Sequence, residues 1–284
     1  MNEQKIMVNT VDPEGKGWYR VGGISALVLG VAYLIIIPLY ASVGAPPTGG
    51  QAWLTYLNGK TTVWWAILGL SILTDVLFVP VAFSLYLALK KVNRNVMLVA
   101  IAFVGVFVVL DLAVTWSNYA ALITLSGNYA AATNDAQRAA YVAAANYPSA
   151  VLASPLERVY SIVDLSFGIL LISLVMLKGI FRKSTAYVGV ATGVLGIVSL
   201  VGWSVTIILN AVFATLWVLL VGYRLCRLDQ WRSHLALARE GTLPSASLRQ
   251  SDAQFSDNNG LNTAALFVKG PNERHEEGMD VGSA

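Results

Sequence analysis

VWWAILGLSILTDVLFVPVAFSLYLAL, residues 63–89, followed by KKVNR, residues 90–94, decides the fold of this chain. The run carries one acid, Asp75, and no base, and it ends on Lys90, Lys91 and Arg94. A bilayer core of about 30 Å takes about 20 apolar residues in helical form. The stretch therefore reads as a membrane-spanning helix stopped at the interface. Five more stretches read the same way: 21–43, 95–123, 155–177, 186–202 and 205–223. The last two are separated by a tight turn at Gly202-Trp203-Ser204, since one unbroken helix from Lys183 to Arg224 would be about 60 Å long. The apolar run of the first stretch exceeds the roughly 7–15 residues of a signal-peptide core, so it reads as an anchor.

Composition agrees. Of 284 residues, 56% are hydrophobic and 12% are charged, about half the charge of an ordinary soluble domain. Mean hydropathy is +0.62. A soluble globular enzyme, a disordered chain and a nucleic-acid-binding domain are excluded on this ground. The net charge of +3 is no nucleic-acid signature, because the bases gather at the ends of the spans. One cysteine, Cys226, excludes an intrachain disulfide and a multi-cysteine metal site. It lies at the inner edge and reads as a plain buried thiol rather than an acylation site. The expected architecture is an all-α bundle of six transmembrane helices with a short outer-loop helix and a disordered C-terminal tail.

Lys and Arg retained on the cytoplasmic side set orientation. Of the 19 such residues, all but Lys60, Arg138 and Arg158 fall on one side. Both termini are thus expected to be cytoplasmic, in a multi-pass protein of the cell inner (plasma) membrane. Tryptophans favour the interfaces. Trp18 and Trp231 fit the inner edge; Trp53, Trp64, Trp65, Trp116 and Trp203 fit the outer.

Four parts follow: an N-terminal cytoplasmic segment, 1–17; the six-helix domain, 18–225; a juxtamembrane amphipathic helix, 226–240, suited to an anionic inner leaflet; and a disordered cytoplasmic tail, 241–284, rich in Ser, Asn and Gly. Gly241 and Pro244 end the juxtamembrane helix. In the outer loops, residues 51–58 read as a short interfacial helix. Thr133-Asn134-Asp135 opens a second, Ala-rich helix that stops at Pro148. It is either a cap over the bundle or a solvated connector.

Three acids fall within spans: Asp75, Asp111 and Asp164. Ionisable groups at such depths are costly and mark functional sites. Counted from Lys90, Arg94 and Lys178 at helical rise, they lie about 22, 25 and 21 Å from the inner edge. Asn210 in the sixth span lies about 21 Å from Arg224 by the same rise. Each acid sits on a polar stripe with helical spacing. Ser71 and Thr74 accompany Asp75; Thr115 and Asn118 follow Asp111; Glu157, Arg158 and Ser161 precede Asp164. The stripes run toward the outer interface, as a polar cavity open outward would require. Three carboxyls at one depth without a base between them cannot all be charged cheaply, so some are expected to be protonated at pH 7. Such a layer holds a proton or a cation; a single buried acid also serves as a hydrogen-bonding link between helices. Pro80 is expected to kink the second span.

Other features read as packing. Gly22, Gly23 and Gly30 in the first span, and Gly189, Gly193 and Gly196 in the fifth, are small-residue stripes for close helix approach. His234 and His275 both follow the last span. A zinc hydrolase, histidine-ligated haem and a serine triad therefore lack their residues, and a retinal protein lacks its mid-span lysine. No cofactor is indicated.

RVGGI from Arg20, DVLFVPVAFSLY from Asp75 with KKVN from Lys90, AQRAAY from Ala136, and KGIFRK from Lys178 leading to Val188-Gly189 resemble a family of prokaryotic six-span membrane proteins, domain of unknown function 4386. The resemblance covers about residues 18–225. It implies a six-helix membrane fold and supplies no activity, ligand or site residue.

Three functions remain open. The first is a transporter-like protein with a midplane carboxylate site for a proton or cation, formed by Asp75, Asp111 and Asp164. The second is a non-enzymatic protein binding a lipid or a partner subunit, with the acids as helix links. The third, least supported, is a carboxylate-dependent membrane enzyme.

Overall fold

The computed structural model describes residues 17–179, 181–201 and 204–239, without the side chains of 204 and 231–239. The expectations for the N-terminal segment, for Gly202-Trp203, for the Trp231 side chain and for the tail lie outside the described residues. Among the described residues the chain is all-helical, with no strand.

Among the described residues seven helices follow in order: α1, Trp18–Val43; α2, Gly50–Tyr56; α3, Thr61–Ala130; α4, Asp135–Leu152; α5, Pro155–Met176; α6, Lys183–Val198, extended by a 3₁₀ turn, Ser199–Val201; and α7, Ser204–Arg239. Five of them, α1, α3, α5, α6 and α7, are long and apolar enough to cross a membrane.

α3 has 70 residues, about 105 Å if straight. It is not straight. Asn93 leaves the helical region (φ −156°, ψ 94°) and its Oδ1 accepts from the Val96 N–H at 3.2 Å. That is the geometry of an N-cap, for which Asn is a preferred residue. Asn93 thus ends one arm and starts the next, and the arms fold back on each other. The Phe78 and Phe107 rings stand 5.9 Å apart, although 29 helical residues would separate them by about 44 Å. The expected loop at 90–94 reduces to this single residue. Pro80 does not interrupt the first arm, where Asn93 alone departs from helical angles.

Neighbour relations close a ring. α1 packs between the first arm of α3 and α7; α7 lies on α6, α6 on α5, and α5 on the second arm of α3. Glycine permits the closest approaches. A Cβ on Gly22 would collide with Ser84 of α3, and one on Gly189 would collide with Ser173 of α5 and Trp217 of α7. Both small-residue stripes therefore sit in contacts, as their spacing indicated.

The ring encloses two apolar cores. One, toward Asn93, includes Leu85, Leu89, Met97, Ile172 and Val221. The other includes Trp53, Leu57, Trp64, Ile67 and Leu122, and lies beneath α2 and α4. Toward its surroundings α1 presents Val21, Ile24, Val28, Val31 and Ile35, each 44–52% exposed, while Gly22, Ser25, Ala26 and Ala32 face inward.

Two boundaries differ from the sequence reading. α4 continues through Pro148 to Leu152. A proline near a helix end forfeits one backbone bond, and the continuation carries Ser149 to α2. There the Ser149 Oγ accepts from the Gly49 N–H at 2.8 Å, beside Asn146 Oδ1, which accepts from the Gly50 N–H at 3.2 Å. These bonds satisfy donors that the α2 start leaves open. α4 is thus a cap docked on α2. Nor is 226–240 a separate helix: α7 runs unbroken to Arg239, with no Gly or Pro between Tyr223 and Glu240 to part the two stretches.

Gly189→Val should lower stability by about 1–3 kcal/mol through overpacking. Gly105, whose Cβ direction is open, should accept alanine with a gain of under about 1 kcal/mol. Thermal unfolding in detergent measures both.

Candidate functional site

At the seam between the two cores stand Asp75, on the first arm of α3, and Asp111, on the second; each is 3% exposed. Asn93 reverses the chain between them and so brings them level. The two carboxyls lie within direct interaction range of each other, and no Lys or Arg acts on either. Trp116 Nε1 donates to Asp75 Oδ2 at 2.7 Å. Asp111 Oδ1 is buried with no hydrogen-bond partner, and the Thr115 side chain is buried beside the same carboxyl and interacts with it.

Local backbone explains how Asp111 and Trp116 both reach Asp75. Five residues of α-helix turn about 500°, which would leave them about 140° apart. Residues Asp111–Trp116 form a π-helical turn instead. Its i→i+5 bonding stacks Trp116 nearly above Asp111. A second π-turn, Val159–Val163, interrupts α5, and the two π-turns touch. Such bulges concentrate at functional sites.

The second π-turn also accounts for what does not converge. Glu157 lies before it, half-buried, and within electrostatic range of Asp111. Asp164 lies after it. The extra residue of a π-turn rotates everything beyond relative to an α-helical count, so Asp164 does not share the face on which Glu157 and Ser161 interact. Asp164 is half-buried, and neither Asp75 nor Asp111 acts on it. Among the described residues no three His, Cys, Asp or Glu side chains gather closely enough to hold a metal ion. The expected layer of three aspartates is thus a pair, with Glu157 in place of Asp164 as its outlying third carboxyl.

Other expected site residues act locally. Thr74 Oγ1 donates to the Ser71 carbonyl, Asn118 Nδ2 to the Val114 carbonyl and Ser161 Oγ to the Glu157 carbonyl. Arg158 is exposed. Asn210 belongs to a different contact: its Nδ2 donates to the Thr192 carbonyl at 2.8 Å and lies 3.4 Å from Ser166 Oγ, joining α5, α6 and α7.

Aromatic residues complete the site, and the sequence reading did not single them out for it. Tyr33 of α1 interacts with Thr74 and with both aspartates. Tyr40, two turns on, is in range of Asp75, Asp111 and Glu157, and Tyr119 is in range of Asp111 and Glu157. The seven-residue spacing of Tyr33 and Tyr40 was a signal of one shared helix face. Tyr119 stacks on Trp64 (5.2 Å, 21°) and tilts against Trp116 (5.5 Å), while Tyr40 meets Trp64 edge-on (5.7 Å). Trp53, Trp64 and Trp116, expected at the interface, are buried at 2%, 0% and 9% exposure; Trp65, at 47%, remains outward. At the cap, Lys60 Nζ donates to the Val43 carbonyl (2.9 Å) and sits 4.1 Å from the centre of the Tyr56 ring. Burial pushes the Tyr56 phenol up, with the neighbouring Trp64 indole acting against it.

Comparison with known proteins finds no matching family, no similar curated protein and no similar solved structure.

Trp116→Phe strips Asp75 Oδ2 of its donor and should cost about 1–3 kcal/mol. In an Asp75→Leu background the same change should cost much less, because no buried acceptor remains. A double-mutant cycle on unfolding in detergent reads the difference.

Proposed function

We propose that this chain is a six-span membrane protein whose Asp75–Asp111 pair holds a proton or a small cation near the midplane, in the manner of a transporter. The observation that carries the reading is two buried carboxyls in contact, without a base, one of them keeping an unpartnered oxygen. Two negative charges side by side in an apolar surrounding are costly, and a shared proton or a bound cation relieves the cost.

The membrane setting rests on the five long apolar helices and on the apolar outer face of α1, which exposes Val21, Ile24, Val28, Val31 and Ile35. Water would penalise that arrangement, and lipid favours it. The six-span count takes the arms of α3 as two spans. With the Lys/Arg bias it places both termini in the cytoplasm of a cell whose inner (plasma) membrane holds the protein, and the α2–α4 cap outside. Membership of the family that residues 18–225 resemble belongs to the same proposal.

A second reading has its own support. The Trp116–Asp75 hydrogen bond joins the arms of α3, as a structural link in a lipid- or partner-binding protein would. The two readings part on thermal stability in nanodiscs between about pH 5 and pH 8 with a panel of cations. A ligand at a hundredfold excess over its Kd adds about 2.7 kcal/mol. Wild type should show a pH- or cation-dependent shift that Asp75→Asn and Asp111→Asn abolish and Asp164→Asn retains. Flat profiles in wild type, with all three variants equally stable, would leave the acids as helix links.

Topology has a separate check. In a Cys226→Ser background, single cysteines at Lys60 and Arg138 should react with an impermeant thiol reagent added to intact cells. Cysteines at Lys91 and Lys183 should react only after permeabilisation.

A further inference from the structure

A groove of about 770 Å³ lies on the cap between α2 and α4, and none of its lining residues belongs to the acid pair. Its size falls within the roughly 300–1,000 Å³ of small-molecule sites. No charged residue lines it among the described residues. Lys60 is held instead between the Val43 carbonyl and the Tyr56 ring. Arg138, one turn before Val142 on α4, stands 4.0 Å from Asp135. The polar groups of the lining offer both donors and acceptors. The Thr55 hydroxyl donates to the Gln51 carbonyl at 3.0 Å, and the Tyr56 phenol donates to the Gly44 carbonyl at 2.9 Å. Both hydrogens are thus spent within the protein, and both oxygens remain as acceptors. Asn146 Oδ1 accepts from the Gly50 N–H, which leaves the Nδ2 hydrogens as donors. The Gln51 carboxamide is exposed, and no hydrogen bond engages it among the described residues. Ala52, Val142 and the Tyr56 ring supply the apolar part of the lining. The bonds from the Gly49 and Gly50 N–H groups to Ser149 and Asn146 tie the two walls together, so binding carries little ordering cost.

We infer that this groove binds an uncharged carbohydrate, its hydroxyls bonding the Thr55 and Tyr56 oxygens and the Gln51 and Asn146 amides, its C–H faces against Ala52 and Val142. Each carbohydrate hydroxyl is a donor and an acceptor at once, which suits a lining that offers both and carries no charge. An anion or a cation would find no opposite charge to strengthen its hydrogen bonds. An apolar ligand would cover the Gln51 carboxamide without bonding it, at a cost in desolvation. The inference is independent of the Asp75–Asp111 reading. In the proposed topology the groove opens to the outside.

The test uses the full chain in nanodiscs at one pH and constant ionic strength. It is titrated with three neutral trisaccharides (maltotriose, cellotriose and triacetylchitotriose), with cationic chitotriose and with anionic trigalacturonate. Binding is read by saturation-transfer NMR on the sugar and by tryptophan fluorescence, since the Trp53 ring meets Tyr56 edge-on at 5.5 Å. At least one neutral trisaccharide should bind saturably, and both charged ones should bind more weakly. Gln51→Ala should weaken the neutral sugar about 2- to 10-fold, the worth of one neutral hydrogen bond. Ala52→Trp, which fills the groove, should abolish binding. Both positions are exposed, so both variants should unfold near the wild-type temperature; if Ala52→Trp does not, Gln51→Ala decides alone. The inference is overturned if no neutral trisaccharide binds saturably, or if binding is unchanged in the folded variants. Tighter binding of either charged sugar would also overturn it. So would saturable binding of the blocked dipeptide N-acetyl-alanyl-alanine amide in place of the sugars, which would make the groove a peptide site.

Discussion

Two carboxyls buried against each other impose a constraint that the surrounding bundle must meet. Asp75 and Asp111 come from opposite arms of one long helix, so the chain must reverse between them, and Asn93 does this by acting as an N-cap. The acids must also be held at the seam of two apolar cores without a base. The structure supplies a single strong donor, Trp116, and reaches it through a π-turn. That turn breaks regular α-helical bonding, which a helix in lipid tolerates only where neighbours pack around it. The second π-turn in α5 lies against the first, so both irregularities face protein. The cost of the site is thus concentrated in one layer, while the glycine contacts and apolar cores on either side remain regular.

Solvent quality explains the rest of the packing. In water, a helix hides its largest apolar residues. Here α1 shows Val21, Ile24, Val28, Val31 and Ile35 outward, and its buried face mixes Leu29 and Ile36 with Gly22, Ser25, Ala26 and Ala32. In the proposed lipid setting the driving force between helices is close contact rather than exclusion of water, and Gly22 and Gly189 sit at close approaches of this kind. The core that includes Trp53 and Trp64 follows a different rule. Trp53, Trp64 and Tyr119 pack ring on ring beneath α2 and α4, and buried aromatic area of this kind stabilises a cap.

Much of this was legible in the sequence. Helix positions came from apolar length, and the structure moves most of their limits by only a few residues. The start of α4 was readable because Asn134 is a cap residue, and its Oδ1 accepts from the Gln137 N–H. Depth along a helix was also readable: Asp75 and Asp111 do lie level. Rotation was not. It depends on an unbroken 3.6-residue period, and each π-turn adds a residue without any mark in composition. For that reason the sequence groups Asp164 with the pair and reads Trp116 as an interfacial residue. The end of α4 escapes the sequence for a related reason. Proline's penalty is legible at Pro148, but the tertiary bond from Gly49 to Ser149 that offsets it is not. Asn210 has the right depth and the wrong neighbours, again a matter of azimuth.

The reversal at Asn93 has a mechanical side. A hairpin joined by one residue has no slack. Neither arm can slide along the other without unwinding its end, and the Phe78–Phe107 and Trp116–Asp75 contacts fix the register further along. The α3 hairpin is therefore a stator. Any tilt of the helices leaning on it, α1 with its tyrosines and α5 with Glu157, is a tilt against a frame that carries both acids as one rigid piece.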